Sequence, residues 1–158
     1  MTTNGSGSSG TPRPGAVRVG AVDCGTNSIR LLVADIDRGT RAVTDVLRRM
    51  EIVRLGHGVD RTGVIAPESM QRTLRVAAEY AASCRELGAE RVRFVATSAS
   101  RDARNAAEFV EGVRQAFAEH WGADVTPEVV SGDEEASLSF TGATGDLVSG
   151  GGGDSALM

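Results

Sequence analysis

Lysine is absent: every one of the 17 basic residues in the 158-residue chain is arginine. That removes Schiff-base chemistry and any mechanism built on a phosphate-binding lysine. The arginine bias itself has a simple source, the codon composition of a GC-rich genome. Cysteine is scarce, with only Cys24 and Cys84, far apart in sequence, and the two histidines, His57 and His120, are not at ligand spacing. No zinc-type cluster is expected from such a set, and both thiols are expected to be reduced, as in a cytoplasmic protein. No apolar run approaches the ~18 residues of a membrane helix, so no span is expected. The N-terminus lacks a basic region followed by an apolar one, so no signal peptide is expected either. A basic excess is also missing: the net charge is -4, which argues against general nucleic-acid binding.

What is present is an ordinary globular balance, 41% hydrophobic and 24% charged. This excludes fully disordered, collagen-like and disulfide-scaffold proteins, and the length suits one domain. Residues 1–15, MTTNGSGSSGTPRPG, are dominated by Gly, Ser, Thr and Pro. They carry too little apolar surface to offset ordering entropy and are expected to be a flexible tail. Residues 146–158 are a second glycine-rich tail, leaving 16–145 as the compact domain.

Val17 to Val22 reads as a short apolar strand. Ile29 to Ile36 is nearly continuous in apolar residues, as expected of a strand covered on both faces. A turn at Asp37-Arg38-Gly39-Thr40 leads to a third extended segment from Arg41 to about Leu55. The short links predict an antiparallel meander, followed by a glycine-rich loop, LGHGVDRTG. Pro67 and Gly88 bracket a helix in which Met70, Leu74, Ala77, Ala81 and Cys84 share a face. Val92 to Ala96 is the fourth strand. Asn105 to Glu108 has the form of a capping box, opening a helix striped by Phe109, Val113 and Phe117. Val125 to Val130 is the fifth strand, and Ser131 to Glu134 is a second capping box opening a helix to about Gly142. The order is βββαβαβα: an α/β fold, a mixed sheet with helices on its faces.

Three segments carry polar chemistry. In Asp23-Cys24-Gly25-Thr26-Asn27-Ser28 an acid ends a strand. Small residues then offer backbone N–H groups and hydroxyls to phosphate oxygens, and Asp23 can hold a cation through water. The same residue types also make a plain hairpin turn. In Thr97-Ser98-Ala99-Ser100-Arg101-Asp102 the hydroxyls precede a helix and suit an anion, and Arg101 can neutralise phosphoryl charge. Helix capping with a solvated Arg–Asp pair is the other reading. In Ser131-Gly132-Asp133-Glu134-Glu135, Glu134 has a capping partner and Glu135 has none. Glu135 can take a proton from attacking water, or both acids can simply favour the helix dipole. Each segment follows a strand, and strand C-terminal ends converge on one edge in open α/β sheets. An acid with a glycine turn, hydroxyls with an arginine, and a carboxylate on one edge suit phosphoanhydride hydrolysis.

The segments AVDCGTNSIRLLVADI, RLGHGVDRTGVI, FVATSASRDARN and VVSGDEEASLSFTGA together resemble the N-terminal domain of the Ppx/GppA phosphatase family, the exopolyphosphatases and guanosine-pentaphosphate phosphohydrolases. The resemblance runs from about Val17 to Thr144. It implies the actin-like ATPase fold with its RNase H-like core. It implies Glu135 as the catalytic glutamate activating water and Arg101 at the phosphate site. Asp23, Gly25, Thr26, Asn27 and Ser28 match the first phosphate turn. Ser98, Ser100 and Gly132 are candidate phosphate contacts beside them, and Glu134 matches a neighbouring acid of open role. His57 and Arg61 sit in the loop lining the approach to the cleft, where an exposed loop pair is the simpler reading.

The expected substrate is polyphosphate or guanosine pentaphosphate, with Mg²⁺ shielding the anion and Asp23 holding it through water. The family continues with an Asp-x-Gly-Gly-Gly-Ser/Thr turn and a second actin-like domain. Here Val148-Ser149 stands in place of that aspartate and its neighbour, and Asp154 follows the glycines. The chain is therefore expected to be one half of a cleft, either truncated or a degenerate gene product, with a homodimer partner or a second domain in trans as candidates to complete it. A non-catalytic phosphonucleotide-binding module or an inactive fragment is the alternative expectation.

Overall fold

The computed structural model of the chain describes residues 12, 14–97 and 102–129. Strand β1 spans Ala16–Cys24, β2 Ser28–Asp37 and β3 Val43–Ile52. A short helix α1 covers Val59–Thr62, and α2 runs from Pro67 to Glu86. Strand β4 (Arg91–Ala96), helix α3 (Ala106–His120) and strand β5 (Glu128–Val129) complete the described order. The sheet order is β3-β2-β1-β4-β5. The first three strands form the expected antiparallel meander, while β4 pairs parallel to β1 and β5 parallel to β4.

The meander turns where the sequence places the turn. The Asp37 carboxylate accepts the N–H groups of Gly39 and Thr40 at 2.8 and 2.9 Å. This is the local bond that makes aspartate a turn former. Strand β3 is shorter than the extended reading of Arg41 to Leu55, and a register shift at Val33/Ala34 places Val46 as an extra residue against β2. The fifth strand is shorter than read at its start: Val125 to Pro127 lie outside the ladder, and Val130 lies outside the described residues.

Helix α2 begins with Pro67 in its first turn and stops at Gly88, whose φ of +76° suits glycine. The Ala89 N–H bonds the Cys84 carbonyl and the Gly88 N–H bonds Arg85, a double closure that satisfies the last free carbonyls. Met70, Ala77, Ala81 and Cys84 are buried as expected, and Leu74 is half-buried against them. Phe109, Val113 and Phe117 of α3 are fully buried. Phe94 meets Phe109 and Phe117 edge-on, each with ring centroids 6.2 Å apart.

Both α2 and α3 cover the face carrying Val22, Cys24, Ile29, Leu31 and Val33. Two glycines permit this close approach. A Cβ on Gly20 would stand 2.7 Å from Cys84 Sγ, and one on Gly112 would run into Leu74. The opposite face carries Val17, Val19 and Ile36, also buried. The helix expected after β5 lies outside the described residues, as do most of the two expected tails.

Candidate phosphate-binding edge

Because β1, β4 and β5 are parallel neighbours, their C-terminal ends lie in one row. Cys24 is in register with Ala96, and Ala96 with Val129. The Thr97 N–H extends the row by bonding the Cys24 carbonyl at 3.1 Å. The strand ends that precede the three polar segments in sequence therefore lie on a single edge. Asp23, Gly25, Thr26, Asn27 and Ser28 are described. Ser98, Ser100, Arg101, Gly132, Glu134 and Glu135 lie outside the described residues.

The 25–28 turn closes on itself through the Gly25 N–H, which bonds the Ser28 carbonyl at 2.9 Å. Its outward carbonyls are then taken up by the chain that follows β3. The Val53 and Arg54 N–H groups both bond the Asn27 carbonyl, and the Gly56 N–H bonds the Thr26 carbonyl, all at 2.9 Å. The acceptors of the turn are thus occupied by protein. Thr26 and Asn27 are exposed. Engaging three backbone carbonyls lowers the negative character of the turn, which suits an anion better than a cation.

Asp23, the last residue but one of β1, is half-buried and lies across from Arg30 in the β1–β2 register. Burial pushes its carboxyl above the ordinary aspartate range, and the Arg30 charge pulls in the other direction. A cation beside Asp23 would relieve that cost. Among the described residues there is no group of three His, Cys, Asp or Glu side chains fit to hold a metal. This donor set suits a hard cation held through water and shared with phosphate oxygens, the habit of Mg²⁺, rather than a full protein cage.

Cys24, inside the same motif, is buried, and its thiol is pushed up to about 12, first by burial and then by the Asp23 charge. Burial pushes Cys84 up to about 12 as well. Neither is a nucleophile near neutral pH, and both are free thiols.

The glycine-rich loop holds an element the sequence reading lacks, helix α1. Gly58 and Gly63 flank it, both at positive φ, and Val59 anchors it in the core. The bracketing glycines were the available signal. His57 and Arg61 are exposed, as the simpler reading had them.

Asn105 corrects the sequence reading. It does precede α3, but its side chain makes no capping bond. Its amide instead spans Ile65, accepting the Ile65 N–H at 2.8 Å and donating to the Ile65 carbonyl at 3.0 Å. Ile65 is fully buried, so its backbone groups need partners more than the exposed start of a helix does. Arg104 adds a backbone bond to the Gly63 carbonyl at 2.7 Å and a side-chain bond to the Thr62 carbonyl. The α1 loop is thereby tied at one end to the β1–β2 turn and at the other to the start of α3.

The sequence profile of the Ppx/GppA phosphatase family matches residues 32–153. Exopolyphosphatase 2 of Mycobacterium tuberculosis is 48% identical over 136 residues, covering 85% of this chain and 42% of that protein. The guanosine-5'-triphosphate,3'-diphosphate pyrophosphatase of Vibrio cholerae is 31% identical over 77% of this chain and 23% of its own length. A Ppx/GppA family member of Aquifex aeolicus, solved by crystallography, superposes with a TM-score of 0.65 at 36% identity, covering 76% of this chain and 37% of that one. This chain thus spans about two fifths or less of each relative. The mixed five-stranded sheet with its helices agrees with the actin-like fold of these structural neighbours. On the family match and these identities, the chain belongs to the Ppx/GppA phosphatase family.

Proposed function

We propose that the chain supplies one wall of a cleft that hydrolyses terminal phosphoanhydride bonds of polyphosphate or guanosine pentaphosphate. The observation that carries this reading is the row of parallel strand ends, with an exposed turn on it whose Thr26, Asn27 and Ser28 carbonyls are engaged by protein. Thr26, Asn27 and Ser28 bind phosphate oxygens. Asp23 would hold Mg²⁺ through water, and the ion would supply charge shielding for the anion. Glu135 takes the proton of the water that attacks the terminal phosphorus, Arg101 balances charge on that phosphoryl group, and the shortened phosphate chain leaves. Phosphoryl transfer needs positioning and charge stabilisation more than covalent help, so these groups suffice in kind. Gly132, Ser98 and Ser100 contribute further donors, and Glu134 supports the helix start.

Thr26 and Asn27 face open water here, so charges at the turn are screened. A second wall, from a further domain or another copy, would exclude that water. Phosphate release with Mg²⁺ tests the reading, measured on this chain and on a form extended to the length of its relatives. The extended form is expected to turn over, and Glu135→Gln to lower its kcat by ~10²–10⁴-fold with binding retained. Glu134→Gln is expected to be milder. An extended form that binds tripolyphosphate without release supports the non-catalytic binding module instead.

A further inference from the structure

We propose that Arg54 is a phosphate-contact residue of the same edge, placed by its backbone to reach an anion on the β1–β2 turn. The inference rests on the reading of that turn as a phosphate site.

Arg54 is one of two non-glycine residues with positive φ among the described residues, at +54°. The local reason is visible in the hydrogen bonds. The consecutive N–H groups of Val53 and Arg54 converge on one acceptor, the Asn27 carbonyl, each at 2.9 Å. Successive N–H groups converge in this way when adjacent residues adopt alternating-hand conformations. The backbone therefore demands a left-handed residue at position 54, and glycine fits such a position without strain. A side chain with a Cβ carries strain there. Packing does not offset it, because Arg54 is exposed while its neighbours Val53 and Leu55 are fully buried.

Ion pairing does not offset it either. Among the described residues the Arg54 guanidinium has no hydrogen-bond or salt-bridge partner. What the position does offer is proximity. The 2.9 Å backbone bond sets Arg54 directly against Asn27, within an arginine side chain's reach of anything held on the exposed Thr26 and Asn27 donors. A planar fork of five donors suits phosphate oxygens, and its fixed charge adds to the donor field of a turn whose carbonyls are already occupied.

The test separates side chain from backbone. Arg54→Gly removes the guanidinium and relieves the strain, so its Tm is expected to equal or exceed that of the unaltered chain. Its affinity for tripolyphosphate, followed by ¹H–¹⁵N titration at fixed ionic strength, is expected to fall roughly tenfold, the size of one lost charged hydrogen bond. Arg54→Lys keeps the charge without the fork and should fall in between. Unchanged affinity in Arg54→Gly overturns the proposal. So does a lowered Tm accompanying the loss, because the arginine would then be bracing the loop. If the unaltered chain gives no shifts at Thr26 and Asn27 on titration, the phosphate-turn reading itself fails and takes Arg54 with it. If those shifts appear and Arg54→Gly preserves them in full at the same concentrations, only the role of Arg54 fails.

Discussion

Replacing Asn105 discriminates between two accounts of the same residue. In the sequence Asn105 reads as a helix cap, and in the structure it is a clamp on Ile65. Asn105→Ala removes an acceptor at 2.8 Å and a donor at 3.0 Å from a residue that is 1% exposed. Two buried backbone groups lose their partners, each at a cost of about 1–3 kcal/mol when water cannot replace the bond. Some relaxation of the loop is expected, which puts the loss near ~2–4 kcal/mol in urea unfolding. Asn105→Ser is the decisive variant. Serine caps helices as well as asparagine, so a capping role predicts a change of only a few tenths of a kcal/mol. A serine hydroxyl cannot span both groups of Ile65, so the clamp predicts a loss of ~1–3 kcal/mol and faster amide exchange at Ile65. Asn105→Asp keeps the acceptor and turns a second oxygen towards the Ile65 carbonyl. Its neutral acid form can donate there, so this variant should gain stability as pH falls through the carboxyl's range. Asn105→Ser within about 0.5 kcal/mol of the unaltered chain, with Ile65 still protected, would refute the clamp.

Two further outcomes follow from the geometry. Asp23 carries a carboxyl raised by burial, so its ionised form weakens the fold: stability is fullest below the unfolded pKa and declines as pH rises through the folded one. Asp23→Asn should therefore raise Tm at pH 7, converge on the unaltered chain in acid, and abolish any added stabilisation by Mg²⁺ with tripolyphosphate; equal Tm values at every pH would contradict the burial argument. Gly20→Ala should cost ~1–3 kcal/mol from the clash with Cys84 Sγ, and Cys84→Ala in the same chain should recover part of it, a non-additivity measurable by a double-mutant cycle.

The parts legible in the sequence are those set by local chemistry. Val17 to Val22, Ile29 to Ile36 and Val92 to Ala96 are apolar runs too short for helices, and each is a strand core. Pro67 and Gly88 bound α2 because one lacks an N–H and the other tolerates positive φ. The 25–28 turn was legible because glycine, asparagine and serine after a strand are turn formers whatever they bind. The misses are tertiary. The local pattern of Asn105 satisfies a capping box, and nothing near it in sequence reveals that Ile65, forty residues earlier, will be buried with free backbone groups. Helix α1 is a single turn held by Val59 and the bonds around it, too short to show periodicity. Arg54 looks like any surface arginine until the Asn27 carbonyl fixes its backbone. Ser98, Ser100, Arg101, Gly132, Glu134 and Glu135 rest on family resemblance.

The bonds at this edge show a division of labour. The turn is held by backbone: the Gly25, Val53, Arg54 and Gly56 N–H groups fix three of its carbonyls. The α1 loop is held by the Arg104 backbone and the Asn105 amide on one side and by the 53–56 segment on the other. Main-chain groups and one buried amide thus carry the positioning, and on the proposed reading the side chains of Thr26, Asn27 and Arg54 meet the ligand. Donors fixed before the ligand arrives need little reorganisation when charge builds on a phosphoryl oxygen, and that is where electrostatic catalysis gains most. A change to the brace, such as Asn105→Ala, should therefore weaken phosphate binding without touching phosphate. A change to Arg54 should weaken it without loosening the brace.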